Sequence, residues 1–501
     1  MKSTMALSSL FTAVALVFTG VGLFIFFSNI ELTNAGVSSE KIGLINAGFY
    51  LGALLSGIIA QRWVAKVGHI RAFALFTALI TICMLLHVVV KQEIALIVIR
   101  VILGFSDYSL LMVVESWLNA RSSNKNRSSI LAVYTMIFYM AFMLASIVIA
   151  TPIASATMYA LCAILAAASI IPIMLTRIEQ PQLPQKMGIS FPKLWEVVPL
   201  ALLGSITAGF LVGGFITMAP VYVALRGLDN QVASHFILAA MCAGLVVQIP
   251  MGKFSYAFGR RSGIILACSF ALTAALLMWL LGQFPWVLVG SAFLMGCGVF
   301  TMYSLSSARA NDSIPPHSNV VEIGRSMLFS YCIGSFLSPL VLGFLMKYLG
   351  ANGFTLQYVV LAGLLLAFAL TQAVIPRTKR GPYVSMPVNA GVGSVLLDKS
   401  MQSAEADDDG ADGVTTVEAA TSPSAEPVAA AAEPVTAPLQ DLQAASPSAV
   451  HAQSATTASV TPENDVNGTE HAEAWDGVQA QTQQDLAIKD APHPQRETST
   501  K

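Results

Sequence analysis

The sequence predicts an all-α integral membrane protein, with twelve transmembrane helices in two six-helix bundles and a disordered cytoplasmic C-terminal tail. Twelve apolar stretches of about twenty residues lie between residues 7 and 375, and each has the length that a helix needs to cross about 30 Å of hydrocarbon. Residues 1–380 contain 23 Lys and Arg against 10 Asp and Glu, whereas residues 381–501 contain 4 against 18. The chain therefore combines a basic membrane domain with an acidic segment of different character.

The spans follow from the apolar stretches in their order along the chain. We predict spans near residues 7–29, 42–61, 72–90, 94–118, 129–151, 156–176, 196–222, 231–251, 262–282, 285–308, 326–347 and 355–375. The first span follows Lys2, as the apolar part of a secretory signal would. It is longer than such a segment, and similar spans follow it, so we interpret it as a transmembrane helix.

A long loop between spans 6 and 7 divides the spans into two sets of six. Pro181, Pro184 and Pro192 disfavour a helix through this loop. We therefore predict an N-terminal bundle over residues 1–176, a cytoplasmic central loop over 177–195 and a C-terminal bundle over 196–380. Beyond it, residues 381–501 are rich in Ala, Ser and Pro and lack an apolar period. Such a segment cannot bury enough apolar surface to fold, so we expect it to be disordered.

The orientation of the spans follows from the Lys and Arg residues in the loops. With the N-terminus inside, 18 Lys and Arg lie on the inner side and 4 on the outer side. Because positive residues concentrate in cytoplasmic loops, we expect both termini in the cytoplasm and the protein in the cytoplasmic (inner) membrane.

Two loops repeat at the same position in each half. Residues 61–71, between spans 2 and 3, and residues 252–261, between spans 8 and 9, each contain a Gly followed by basic residues. These are Gly68 before Arg71 and Gly259 before Arg260 and Arg261. The correspondence indicates that the two halves are duplicates.

These loops resemble the signature loops of the major facilitator superfamily. The second copy keeps Gly252, Gly259, Arg260 and Arg261, with Tyr256 where the family has an acid. The first copy keeps Gly68 and Lys66, with Gln61 for the opening Gly and Ala65 for the acid. A further family signature on span 4 matches Leu96, Arg100 and Gly104. Residues 113–119 and 303–312 are similar to the bacterial subgroup of carriers called YcaD-like.

The resemblance implies two bundles that rock around a central site. Small residues spaced four apart, such as Gly48 and Gly52 or Gly209 and Gly213, would allow close helix contacts, although such residues are also common in membrane helices generally. We expect Gly104 and Pro339 to act as conformational hinges, with Pro339 bending span 11.

Span 4 contains the charged residues that most strongly suggest a functional site. Arg100, Asp107 and Glu115 lie on one helical face. A charge at the bilayer centre costs about 2.5–3.5 kcal/mol, so this face should look into protein or water. We hypothesise that Asp107 is a proton-coupling residue and that Arg100 tunes it. The alternative is a structural polar pair that fixes helix packing.

Charged residues near the cytoplasmic ends of the spans suggest a gate. We expect Glu115 to pair with Lys66, Arg71 or Arg127, and Asp312 to pair with Arg260 or Arg261 in the other half. The alternative is that these are helix-end charges in the wet headgroup region, where an ion pair contributes about 0–1 kcal/mol.

Polar aromatic and hydroxyl side chains in the middle of other spans could line a central cavity. The candidates are Tyr134 and Tyr139 in span 5, Tyr303 and Ser304 in span 10, and Ser330 and Tyr331 in span 11. Each of them could equally be a packing residue.

The function most consistent with these sequence features is that of a secondary active transporter. With Arg100 as the one clear inward cation, we expect a neutral, weakly basic or amphipathic small molecule as substrate, with coupling to protons. The alternatives are an uncoupled, facilitative carrier and a non-transporting receptor or scaffold that signals through the tail. We expect no enzymatic activity, cofactor, metal site or nucleic-acid partner, because no phosphate-binding loop, catalytic cluster or CxxC pair is present. The expected partners are the substrate, protons and membrane lipids, with the monomer as the functional unit.

Overall fold

The computed structural model describes residues 2–121, 127–176, 198–313, 320–376 and 378. Within these residues the regular structure is entirely helical. Twelve helices are long and apolar enough to cross a membrane, which confirms the predicted fold class and number of spans. The predicted central loop and the tail beyond 380 lie outside the described residues.

Spans 1 to 5 are helices α1 to α5, span 6 consists of α6 and α7, and spans 7 to 12 are α8 to α13. Their bounds are α1 Lys2–Asn34, α2 Ser39–Val67, α3 His69–Val89, α4 Glu93–Arg121, α5 Arg127–Val148, α6 Ser155–Ala168, α7 Ile170–Met174, α8 Pro199–Leu225, α9 Asn230–Phe258, α10 Arg260–Leu281, α11 Pro285–Ser313, α12 Val320–Leu349 and α13 Asn352–Thr371.

Several helices continue past the predicted spans on the side assigned to the cytoplasm. The second helix ends at Val67 rather than 61, and α9 ends at Phe258 rather than 251. Both end at a glycine with positive φ, Gly68 at 85° and Gly259 at 105°. Their N–H groups donate to Val64 O and Ser255 O. The apolar stretch predicts only the part of the helix that would lie in hydrocarbon. The backbone hydrogen bonds of the helix continue further, until a residue such as glycine adopts a non-helical conformation.

The sixth span is interrupted between Ala168 and Ile170. Pro172 has no N–H to donate to the carbonyl of Ala168, and its ring crowds that carbonyl. The hydroxyl of Ser169 donates to Ala166 O at 2.6 Å, which occupies one of the backbone acceptors in this turn. The predicted span near 156–176 is present as Ser155–Met174, with this one-residue interruption inside it.

Close helix contacts occur where the small residues predict them. A Cβ on Gly52 would clash with the backbone of α4 at Val101, and a Cβ on Gly209 would clash with the backbone of α12 at Tyr331. These glycines therefore let two backbones meet directly.

The two halves contact each other near the centre and in the half of the spans predicted to be outer. Asn29 Nδ2 on α1 donates to Thr217 O on α8 at 2.8 Å. At the start of α2, Gly43 packs against Pro339 on α12, and Glu40 forms an ion pair with Lys347.

Candidate functional site

Helix α4 carries the charged face into the protein interior. Arg100, Asp107 and Glu115 have relative exposures of 0%, 1% and 0%, whereas Val98 and Ile102 on the same helix are 52% and 39% exposed. Apolar side chains of α4 thus lie on the exposed side of the helix, and the charged ones are covered by neighbouring helices. This confirms that the charged face looks into protein.

The guanidinium of Arg100 is held by α1. Its Nη2 donates to Ser28 Oγ at 2.5 Å, and its central carbon lies 4.7 Å from the ring centroid of Phe24. Among the described residues, Nε and Nη1 have no hydrogen-bond partner. A hydroxyl and a ring face therefore form the immediate environment of this cation.

Asp107 lies one residue before Tyr108 and in a different environment from Arg100. Its Oδ1 is buried and has no hydrogen-bond partner among the described residues. Tyr50 on α2, Tyr108 on α4 and Tyr134 on α5 lie near enough for its charge to act on their hydroxyls. Arg100 and Asp107 are seven residues apart on one helix, a rise of about 10 Å, and form no ion pair with each other among the described residues. A buried carboxyl oxygen without a partner is costly, so a proton or a ligand can gain binding energy here.

Tyr50 and Tyr108 are central residues that were not predicted from the sequence. Tyr50 donates to Gly213 O of the other half at 3.3 Å, and Tyr108 packs edge-on against Phe49 with ring centroids 6.1 Å apart. Both are tyrosines in the middle of apolar spans, and Tyr108 directly follows Asp107. That signal was available, because a hydroxyl in the middle of a span needs a polar partner.

The tyrosines predicted on spans 10 and 11 lie together in the other half. The rings of Tyr303 on α11 and Tyr331 on α12 are 5.0 Å apart, and both side chains are buried. Tyr331 is also near enough to Tyr50 and Tyr108 to interact with them. We call Tyr50, Tyr108, Tyr134, Tyr303 and Tyr331 the tyrosine cluster; it contains residues of both halves.

The two candidate serines contribute differently from the tyrosines. Ser330 is buried, and its hydroxyl donates to Ser326 O on its own helix at 2.7 Å, so its hydrogen is used locally. Ser304 is buried next to Tyr303 on α11.

Tyr139 lies where α5 meets α9 and α11. Its ring is 5.8 Å from that of Phe300, and Gln248 Nε2 donates to its hydroxyl at 3.3 Å and to Phe300 O at 3.1 Å. Gln248 was not predicted. It connects a side chain of the first half to the backbone of the second.

The structure brings together two of the predicted gate residues, Arg260 and Asp312. Arg260 Nε lies 3.0 Å from Asp312 Oδ2, and both side chains are almost fully buried. Arg260 Nη1 also donates to Ser255 Oγ. Arg261, the other candidate partner, instead donates to Ala369 O and Leu370 O in the last turn of α13.

The residues predicted to form a gate in the first half are only partly described, so the pairing of Glu115 stays a prediction. Glu115 is buried, whereas Lys66 and Arg71 are exposed and form no ion pair with it among the described residues. Both cations lie next to the turn at Gly68 and point to the surface. The side chain of Arg127 lies outside the described part of the structure.

The two predicted hinge residues lie inside unbroken helices at close contacts. A Cβ on Gly104 would clash with Phe49 on α2, so this glycine lets α2 and α4 approach. Pro339 lies within α12, and its carbonyl faces Gly43 on α2. Pro339 thus belongs to the contact between the halves.

The described residues contain no group of three His, Cys, Asp or Glu side chains that could hold a metal ion. The six cysteines are free thiols within the helices. The charged and polar groups described at the site are the carboxyl, the guanidinium and the tyrosines.

Comparisons with known proteins agree with this architecture. A family model described as Major Facilitator Superfamily matches residues 10–339. Proteins named uncharacterized MFS-type transporter YcaD, from Salmonella newport (strain SL254) and Salmonella typhi, are 24% identical over 325 residues, which is 63% of this chain and 82% of each relative.

Two solved structures show the same fold. The nucleoside transporter NupG aligns with a TM-score of 0.59 at 13% identity. The alignment covers 73% of this chain and 98% of the NupG chain. A bacterial homolog of the human lysosomal transporter Spinster, inward-facing and unoccupied, has a TM-score of 0.57 at 15% identity and covers 79% of this chain and 98% of its own.

Proposed function

We propose, because the chain belongs to the major facilitator superfamily, that it is a proton-coupled secondary active transporter of a neutral, weakly basic or amphipathic small molecule. The chain is a multi-pass membrane protein, and its fold and relatives are those of membrane transporters. The proposal adds alternating access across the cytoplasmic membrane, the coupling ion and the class of substrate.

The observation that carries the proposal is the carboxyl of Asp107. It lies in the middle of a span, is buried, and has an oxygen without a partner among the described residues. Such a group can take up a proton when the site opens to one side and release it on the other. A residue that served packing alone would be expected to have its hydrogen bonds satisfied.

The contacts between the halves support alternating access. The ion pair between Glu40 and Lys347 and the hydrogen bond from Asn29 to Thr217 cross between the bundles near the predicted outer side. Both interactions can open without breaking a helix. They are therefore suited to a gate that opens at one end of the protein while the other end closes.

The charge of the centre supports the substrate class. Arg100 is the one cation in the middle of a described span, and Ser28 and Phe24 already contact it. A strongly anionic substrate would need several free cations in the centre. A neutral or weakly basic molecule needs none.

Flux measurements test the proposal. The purified protein would be screened against a small-molecule library by thermal shift across pH, and each stabilising compound would then be tested for flux in proteoliposomes with and without a pH gradient. We expect gradient-driven flux for the wild type and loss of the gradient dependence in Asp107→Asn.

Glu93→Gln is the matched control, because Glu93 is an exposed acid on the same helix. Flux that is identical with and without a gradient would indicate a facilitative carrier. A chain ending at residue 380 should retain flux, and its loss would favour a protein that signals through the tail.

A further inference from the structure

We infer that the substrate is an organic amine in its protonated form, whose ammonium group binds the carboxylate of Asp107 against the rings of the tyrosine cluster. The inference rests on the proposed transport function and narrows its substrate class. It depends on four features of the centre: the position of the acid, its missing partner, the surrounding rings and the participation of both halves.

Asp107 has a position that the other described acids do not share. It lies in the middle of its span, whereas the other acids with described side chains lie near helix ends. These are Glu31, Glu40, Glu93, Glu115, Asp229 and Asp312. A negative charge at the centre of the bilayer is the strongest local attraction for a cation that enters from water.

Among the described residues, the carboxyl of Asp107 forms no ion pair with a cation. Arg100, on the same helix, instead contacts Ser28 and Phe24 on α1. The buried ion pair of Arg260 and Asp312 shows how this chain satisfies a buried charge when it uses its own side chains. At Asp107 the positive partner is therefore available to come from the ligand.

The surroundings of Asp107 suit an organic cation. Tyr50, Tyr108 and Tyr134 lie within range of the carboxyl on three helices of the first half. Ring faces attract ammonium groups most strongly when water is excluded, and tyrosine adds a hydroxyl that can accept a hydrogen bond from N–H. An anion would meet both the carboxylate and the negative ring faces.

The site also draws on the second half. Tyr50 donates to Gly213 O on α8, and Tyr331 on α12 lies near Tyr50 and Tyr108. A ligand bound between Asp107 and this cluster therefore touches groups that move relative to each other when the halves rock. Its binding energy can then differ between the two conformations, which is what transport requires.

A single carboxylate cannot hold a proton and an ammonium group together. Among the described residues, the titratable groups near Asp107 and its tyrosines are Tyr50, Tyr108, Tyr134, Tyr303, Tyr331, Glu115 and Cys332. None of them supplies a cation. Binding of the amine therefore displaces the proton from Asp107, and the two ligands exchange at one site.

Binding of matched probes tests the inference. The probes are phenethylamine and phenethyltrimethylammonium as cations, phenethyl alcohol as the neutral analogue and hydrocinnamate as the anion, which share a phenyl ring and a short chain. We expect both cations to bind the purified protein, measured by calorimetry. Each should bind about tenfold or more tightly than the alcohol, because the carboxylate and the ring faces attract a positive charge, with or without an N–H to donate.

Variants locate the cation. Asp107→Asn should remove the preference for the cations over the alcohol, Asp107→Glu should keep it, and Glu93→Gln should bind as the wild type does. Wild-type protein alone provides a second measurement. Cation binding should weaken as the pH falls, and calorimetry in two buffers of different ionisation enthalpy should detect proton release on binding at a pH where Asp107 is protonated.

Equal binding of the alcohol and the cations, or cation binding that does not depend on pH, would overturn the inference. Its failure differs from failure of the proposed function. If neutral compounds show gradient-driven flux and ammonium compounds are not preferred, the proposed transport function holds and the amine inference is wrong. If cations bind in a pH-dependent way but no compound shows flux, the amine site holds and the proposed transport function is wrong.

Discussion

Two buried charges on one helix face have different neighbours. Arg100 contacts Ser28 and the ring of Phe24, whereas Asp107 has tyrosines nearby. Each side chain has polar atoms without a hydrogen-bond partner among the described residues. The spacing in the sequence was sufficient to predict that both are buried. It could not predict their separation, because the partners come from α1, α2 and α5, and one helix's periodicity contains no information about them.

The contact with Ser28 should contribute measurably to stability. Ser28→Ala leaves Nη2 of Arg100 buried without its acceptor, so we expect a loss of about 1–3 kcal/mol in the free energy of unfolding. Chemical or thermal unfolding in detergent would measure it. Ser116→Ala is the control, since this hydroxyl bonds only to Met112 O on its own helix and its loss should be nearly neutral.

The ion pair between Arg260 and Asp312 should be sensitive to removal of one partner. Asp312→Asn removes the carboxylate charge 3.0 Å from the buried guanidinium of Arg260, and we expect a loss of about 3–5 kcal/mol in unfolding free energy. Glu93→Gln disrupts the exposed pair with Lys41 and should cost no more than about 1 kcal/mol. Similar losses for the two variants would show that burial does not determine how much the pair of Arg260 and Asp312 contributes to stability.

At the level of helices, apolar length predicts the number of spans but not where each helix ends. Gly68 and Gly259 end two helices well past the apolar stretch, and Pro172 divides the sixth span in two. All three residues are visible in the sequence. Their effect depends on whether the neighbouring helices support a continued ladder, which the sequence of one span does not show.

Glycine contacts set how closely α2 approaches α4. Gly52→Ala would place a methyl group against the backbone at Val101, and we expect a loss of about 1–3 kcal/mol in unfolding free energy from overpacking. Gly57→Ala on the same helix is the control, because nothing lies within 4 Å of a Cβ at that position. Equal unfolding temperatures of the two variants would contradict the close contact.

For the molecule as a whole, the contacts between the halves define one conformation. The duplicated loops and the count of spans were sufficient to predict two related halves. Which surfaces the halves use to meet was not predictable, because Tyr50, Gln248 and Pro339 make their contacts between distant parts of the chain.

Cross-linking tests whether the halves must separate at the outer side. The cysteine pair Glu40→Cys and Lys347→Cys, joined by a short cleavable thiol reagent, should block flux, and cleavage should restore it. The control pair is Lys41→Cys with Glu93→Cys, which joins α2 to α4 inside one half. Cross-linking there should leave flux unchanged. Undiminished flux in the bridged Glu40–Lys347 pair would contradict alternating access.

The turns at Gly68 and Gly259 share their backbone conformation, with ψ at 158° and 148°, although the side chains around them differ. In a gene copied end to end, the two segments would have diverged in charge while the shape of the reversal persisted. Each copy would then have kept the backbone conformation of the original turn while the side chains around it changed. A segment exchanged between the copies should consequently fold in either position.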